Sequence, residues 1–231
     1  MNASFKAPWQ DPDDAKRFDF LRTQLFSAVL GDLLDQLGYQ QQFLPQAIKP
    51  IEPHRVLVGR AMTVLEMDLG GAPSTDSKPF GKMFEALDDL KPHEIYLASG
   101  SSLSYALWGG LMTTRAKKLG AAGAVLHGYH RDTQEILQSQ WPVFSMGSYA
   151  QDQAPRGKVV DWRVPMDIGG VKVQSGDLLF GDRDGVVVVP REVESEVIRR
   201  ALEKVQTESA VRQAILAGMS TVEAFERFGV M

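Results

Sequence analysis

The sequence predicts an α/β protein with a mixed sheet, and three patterns in it carry that prediction. Apolar runs of strand length alternate with stretches of helical periodicity as far as Met146. A block over 159–190, VVDWRVPMDIGGVKVQSGDLLFGDRDGVVVVP, is β-rich and punctuated by the turn-forming pairs Gly169-Gly170, Gly176-Asp177 and Asp184-Gly185. Helical periodicity then returns from Arg191 to Ala217. No internal linker divides this order, so one domain is expected over 17–231, preceded by a flexible arm over 1–16 that holds Pro8, Pro12 and several charges.

From Arg17 to Gly38, the residues Phe18, Leu21, Leu25, Ala28, Val29, Leu33 and Leu37 recur at helical spacing, with Gly38 as the stop. Asp32 and Asp35 fall on the polar side of that helix and read as a solvated face. Val56 to Met67 reads as a strand, in which Gly59 marks a bulge or a close backbone approach. The turn-rich segment 68–81 reads as a long loop able to cover a pocket. A short helix over Lys82–Leu90 and a strand over Glu94–Ala98 follow. A helix is expected to begin near Gly110 and stop at Gly120, and a strand over Ala122–Leu126 is expected to run straight into Gly128-Tyr129-His130-Arg131-Asp132. Pro142–Met146 reads as a brief strand. Val186–Val189, a continuous apolar run, reads as a strand buried on both faces. Glu192, Glu194 and Glu196 favour the start of the long helix, and Thr221–Phe228 forms a last amphipathic turn or two.

Composition removes several classes of function. A net charge of −4 gives no basic excess, which argues against nucleic acid as the main partner. The absence of cysteine removes disulfides, thiolate nucleophiles and cysteine zinc sites. The polar N-terminus lacks a signal-peptide core, and no apolar run reaches membrane-spanning length. A cytoplasmic protein without a membrane partner is the expectation.

The stretch from Ser99 to Glu135 carries the candidate chemistry. A helix N-terminus near Gly110 offers unpaired N–H groups and the positive end of a dipole to an anion. Asp132 is the best metal-ligand candidate, because a hard cation such as Mg²⁺ accepts one protein carboxylate and completes its shell with waters and substrate oxygens. Arg131 has the planar fork that suits a substrate carboxylate or oxygen. The same two residues also read as a surface ion pair of no consequence. His127 and His130 flank Gly128 and invite a metal-site reading, although their spacing of three does not place both on one strand face. Ser99, Ser101, Ser102 and Ser104 lack a nucleophile elbow, and the glycines at 169–185 do not follow a dinucleotide fingerprint.

ALWGGLMTTRAKKLGAAGAVLHGYHRD (106–132) and SGDLLFGDRDGVVVVP (175–190) closely resemble the family that unites 4-hydroxy-4-methyl-2-oxoglutarate aldolase with the regulator of ribonuclease activity A. The resemblance extends to GRAMTV (59–64), KPHEIYLASG (91–100) and AGMSTVEAFERFGVM (217–231). It implies a swivelling β/β/α fold like the phosphohistidine domain, with flanking N- and C-terminal helices, assembled as a homotrimer or homohexamer with sites at subunit boundaries. It further implies that Asp132 binds a divalent metal, Mg²⁺ or Mn²⁺, and that Arg131 contacts the 2-oxo acid and steadies the developing enolate. The N–H groups of Gly110, Leu111 and Met112 would cradle the pyruvate carboxylate.

The sequence departs from the family at one position. Aldolase members commonly carry Asp or Glu after Trp-Gly, where it assists proton transfer, and here the residues are Trp108-Gly109-Gly110. Glu208, reaching over from a neighbouring subunit, is the expected substitute, and the space left at Gly110 is expected to admit a bulkier oxo acid. The implied activity is metal-dependent retro-aldol cleavage of a 4-hydroxy-2-oxo acid to release pyruvate, with oxaloacetate decarboxylation on the side. A non-catalytic binding protein of the ribonuclease-regulator type is the rival reading. Methyl transfer, a label sometimes attached to the family, finds no nucleotide-binding loop here.

Overall fold

A computed structural model of the chain describes residues 7–70 and 78–230. After a 3₁₀ turn at Pro8–Gln10 come α1 (Asp14–Gln24), α2 (Ser27–Gln36), β1 (Lys49–Pro50), β2 (Leu57–Asp68), α3 (Met83–Asp88) and β3 (Glu94–Ser99). The middle of the chain forms β4 (Ala106–Trp108), α4 (Gly110–Lys118), β5 (Gly123–Leu126), β6 (Tyr129–His130), α5 (Thr133–Ser139) and β7 (Val143–Ser145). The remainder forms β8 (Gly157–Trp162), β9 (Met166–Ile168), β10 (Val171–Val173), β11 (Leu178–Gly181), β12 (Val186–Val189), α6 (Glu194–Leu216) and α7 (Thr221–Phe228).

The expected mixed sheet is present, with eight strands among the described residues, in the order β1-β7-β5-β3-β2-β11-β12 and with β8 also on β2. Its centre, β2-β3-β5-β7, is parallel, while β1, β8, β11 and β12 pair antiparallel. One edge of the long β2 is shared: Leu57–Arg60 pair with β11, and Val64–Asp68 pair with β8 across an irregularity at Leu65/Glu66. Gly59 is a close approach and not a bulge, since a Cβ there would lie 2.5 Å from the His93 carbonyl oxygen. Val186–Val189 are all buried, as a strand covered on both faces requires. One face of the sheet packs against α1, α2 and α6 through Leu30, Leu34, Phe180 and Val197. Another cluster, holding Tyr96, Trp108, Leu126 and Trp141, lies under α3, α4 and α5.

Three expectations need correction. The single helix over 17–38 is two helices broken at Leu25-Phe26, because the Asp182 carboxylate accepts the N–H and the hydroxyl of Ser27 at 2.7 Å each and so starts a new helix there. Helix α1 already begins at Asp14, capped by the Asp13 side chain, so the end of the expected arm is ordered; residues 1–6 lie outside the description. The segment before Arg131 is not one straight strand: β5 ends at Leu126, the chain bends at His127-Gly128, and β6 pairs with β4 in a separate parallel ribbon. Most of the loop expected to cover the pocket, 71–77, also lies outside the described residues. Gly38 does stop α2: its φ of 88° lets Tyr39 N–H reach Leu34 O at 2.8 Å and Gly38 N–H reach Asp35 O at 3.0 Å. Among the described residues no helix is long and apolar enough to cross a membrane.

Candidate active site

Two short parallel strands, β4 and β6, bring the predicted residues together. β4 ends in Trp108 and passes through Gly109 into α4, while β6 ends in His130 and passes through Arg131 and Asp132 into α5. Arg131 N–H donates to Trp108 O at 2.9 Å and locks the two exits side by side. Asp132 has φ 58° and does not cap its own helix. Its Oδ2 accepts the N–H of Gly110 at 3.0 Å, at the start of α4. A Cβ on Gly109 would stand 2.7 Å from that same oxygen, so glycine is what clears the path.

These exits face a hollow of about 270 Å³ that is lined by Gly109, Leu111, Met112, Arg131 and Asp132. Phe80, Met83, Phe84 and Leu87 form an apolar wall opposite, on and just before α3. Asp152 and Gln153 arrive from the loop before β8. The Arg131 guanidinium is held by Asp152 at 3.1 Å, with Asp132 farther off at 3.9 Å. Of the three predicted amides, Gly110 N–H is taken by Asp132, whereas Leu111 and Met112, in the first turn of α4, have no intrahelical acceptor. Trp108 floors the hollow; its indole N–H donates to Thr113 Oγ1 at 2.7 Å, and Thr113 in turn donates to Gly109 O at 3.1 Å.

His130 supports the site from behind. It is buried, with Nδ1 2.8 Å from Ser145 Oγ and Nε2 3.0 Å from Thr133 Oγ1, so both ring nitrogens are engaged. Burial pushes its pKa down, which favours the neutral ring. His127 is likewise pushed down by burial, and its Nδ1 lies 2.9 Å from Ser99 Oγ. Among the described residues no group of three or more His, Cys, Asp and Glu stands ready to hold a metal ion by itself. A cation here would rest on the carboxylate of Asp132 together with waters and substrate oxygens, a donor set that a hard divalent ion accepts.

Glu208 is not part of this arrangement within the chain. It lies on α6, 3.8 Å from Lys204, and lines a different hollow with Val211, Arg212, Ile215, Leu216 and Val230. The space expected to be free at Gly110 is filled: all three atoms of the Glu135 carboxyl group lie within 2.7 Å of the point where a Cβ on Gly110 would stand. Sequence reasoning missed Glu135, although Asp132 and Glu135 have the Asp-x-x-Glu spacing of a helix start. It also missed Asp152 and Gln153, which no local pattern marks. Behind Gln153 sits Glu66, 2% exposed, which accepts from the Gln153 amide and is pushed up to about 8 by burial.

Known proteins resemble this chain in sequence and fold. The family model described as RraA-like, Aldolase/RraA, matches residues 27–188. A putative 4-hydroxy-4-methyl-2-oxoglutarate aldolase of Halalkalibacterium halodurans is 28% identical over 200 residues, covering 86% of this chain and 89% of that protein. Protein DlpA of Legionella pneumophila is 28% identical over 203 residues, and the match spans 87% of this chain but only 32% of that longer protein. Among solved structures, an uncharacterized protein from Pseudomonas syringae superposes with a TM-score of 0.77 at 30% identity, covering 90% of this chain and 95% of the other. RraAS2 of Streptomyces coelicolor, at 23% identity and a TM-score of 0.74 over 85% of this chain and 96% of that one, shares the fold.

Proposed function

Because the chain belongs to the RraA-like, Aldolase/RraA family, we propose that it is a divalent-cation-dependent lyase acting on 2-oxo acids. Its reaction is retro-aldol cleavage of a 4-hydroxy-2-oxo acid with release of pyruvate, and oxaloacetate decarboxylation is a side activity. The relatives named as aldolases support the lyase class. The observation that carries the reading is the β4/β6 ribbon, whose two exits aim the first turn of α4, the Arg131 fork and the Asp132 carboxylate at one hollow.

The residues fit the chemistry. Cleavage of the C3–C4 bond leaves an electron pair that spreads over an enolate, and groups that meet this charge as it forms lower the barrier. The Leu111 and Met112 N–H groups and the positive end of α4 take the substrate carboxylate. Arg131, pinned by Asp152, presents its remaining N–H donors to the 2-oxo oxygen. The Asp132 oxygen not spent on Gly110 is free for Mg²⁺ or Mn²⁺, which when bound supplies Lewis-acid stabilisation of the same charge. Phe80, Met83, Phe84 and Leu87 cover the rest of the substrate and shed water from the reacting bond.

The test is pyruvate release from oxaloacetate and from 4-hydroxy-4-methyl-2-oxoglutarate with Mg²⁺ or Mn²⁺, repeated with EDTA and corrected for the metal-only reaction. Turnover that EDTA abolishes is the expected result. A folded protein that turns over neither substrate and binds no Mn²⁺ with oxalate would favour the non-catalytic binding protein instead.

A further inference from the structure

The hollow is polar on one side only. Arg131, Asp132 and Asp152 line it together, and the wall opposite is Phe80, Met83, Phe84 and Leu87. Met83 and Leu87 are buried and tie that wall to the core, while Phe84 is 56% exposed and meets the Phe80 ring edge-on at 5.7 Å. Leu111, 84% exposed, adds to the same lining from α4. Aromatic and aliphatic side chains left open at a pocket are surface that an apolar ligand group covers with gain.

The cations nearest to this wall in the chain are engaged elsewhere. Lys78 pairs with Glu85, Lys82 with Asp161 at 3.3 Å and Arg115 with Asp88 at 2.7 Å, and none of the three lines the hollow. Arg131 is the only cation among the described residues that line it, and Asp152 already holds it. A substrate arm that reaches the wall therefore meets carbon and no counter-charge. A carboxylate placed there would lose its water without gaining a partner, whereas an alkyl or aryl group gains from the same contact. The Gly110 side offers no other room for the arm, because it is filled.

We infer that the substrate is a monocarboxylic 4-hydroxy-2-oxo acid with an aliphatic or aromatic group on C4, and that its cleavage yields pyruvate and an apolar aldehyde. The inference rests on the function proposed above and names the substrate class for that same site. The bonds balance without another reactant. The 4-hydroxyl gives up its proton, the C4–O bond becomes a carbonyl as C3–C4 breaks, and the electron pair forms the enolate, which takes a proton at C3. A 4-hydroxy-2-oxo acid with a second carboxylate on C4 would direct that charge at Phe84 and its neighbours, and is a slow substrate for that reason.

The experiment compares acids that differ only in the group on C4. Calorimetry on the full chain with Mn²⁺ uses 2-oxo-4-phenylbutanoate and 2-oxoglutarate, which lack the 4-hydroxyl and so cannot be cleaved. The phenyl acid should bind about 10-fold or more tightly than 2-oxoglutarate, in line with the discrimination of an apolar pocket. Pyruvate release from the two matching 4-hydroxy acids should favour the phenyl member by about 10²-fold in kcat/KM. Phe84 is exposed, so its replacement leaves the core intact. F84A should weaken the phenyl acid about 10-fold more than it weakens oxalate, which is too short to reach the wall. F84R, which sets a cation at the wall, should move the preference towards 2-oxoglutarate. Binding of 2-oxoglutarate by the wild type as tight as that of the phenyl acid overturns the inference. So does an F84A variant that weakens oxalate and the phenyl acid alike, which would mark a structural role. Failure of the underlying function looks different, because the wild type would then be inert on oxaloacetate as well as on both 4-hydroxy acids.

Discussion

Thr113→Val tests whether the start of α4 is held by the Trp108–Thr113 hydrogen bond. Both residues are 2% exposed, and among the described residues the Trp108 indole N–H has only the Thr113 hydroxyl, at 2.7 Å, as acceptor. Valine keeps the branched shape of threonine but offers no acceptor, so a buried N–H is left unpaired at a cost of about 1–3 kcal/mol. The Gly109 carbonyl is spared, because the backbone N–H of residue 113 still reaches it at 3.0 Å. For a chain of this size each kcal/mol moves the melting temperature by about 2–4 °C. A cost near 2 kcal/mol therefore predicts a fall of about 4–8 °C, read by differential scanning calorimetry at fixed protein concentration. Thr113→Ser keeps the acceptor and loses only a methyl group, so it should cost about 1 kcal/mol. Because residues 109–112 are anchored through this bond, the valine variant should also raise KM for the oxo acid more than serine does. A valine variant as stable as wild type beside a less stable serine variant would refute the reasoning, since packing of the methyl would then be what matters.

Three other changes have definite expected outcomes. Asp132→Asn keeps the side-chain shape and an oxygen for Gly110 N–H but removes the charge. Steady-state assays should show loss of Mn²⁺-dependent turnover by about 10²–10³-fold with the circular dichroism spectrum unchanged. Burial raises Glu66 from 4.5 to about 8 against the Gln153 hydrogen bond, so the folded state binds the extra proton. Stability is then full below the unfolded value and falls as pH rises towards 8, a slope that Glu66→Gln should abolish. Melting curves at about pH 5 and about pH 8 should therefore show the variant gaining on wild type at the higher pH. Gly59→Ala sets a methyl 2.5 Å from the His93 carbonyl oxygen and 3.0 Å from the Ala122 Cβ. Neither neighbour is a flexible side-chain end, so urea denaturation should show a loss of about 1–3 kcal/mol.

Much of the frame was legible because local pattern and tertiary role coincide. Val186–Val189 reads as a buried strand and is one, and Gly38 and Gly120 stop helices where their positive φ is needed. Arg131, Asp132 and the 110–112 turn were legible for a related reason: they follow directly on the ends of regular elements, where backbone and side chain project together. What stayed hidden depends on distant partners. The break at Leu25-Phe26 is set by Asp182, 155 residues away from Ser27. Strands β4 and β6 are too short to leave a period, and α5 buries only Ile136. Glu135 could be linked to Gly110 only once α4 and α5 were seen to start beside one another. Glu208 was expected from a neighbouring subunit, and within its own chain it lines a different hollow: sequence shows that a carboxylate is missing but not which one is near.

The left-handed conformation of Asp132 has a consequence for which sequences can occupy this site. Among residues with a side chain, Asn and Asp enter that region at least cost, since a short polar group can satisfy itself locally there. Glutamate also carries a carboxylate and would serve as well in the eyes of a cation, yet the main chain disfavours it. Backbone sterics therefore favour Asp over Glu here, apart from any question of coordination. The one alternative to Asp that the backbone tolerates well, Asn, is uncharged, so along a lineage this position can keep its shape while it loses its charge. A loss of chemistry at 132 would leave the fold intact, and a family that mixes catalysts with binders has an easy route from one to the other.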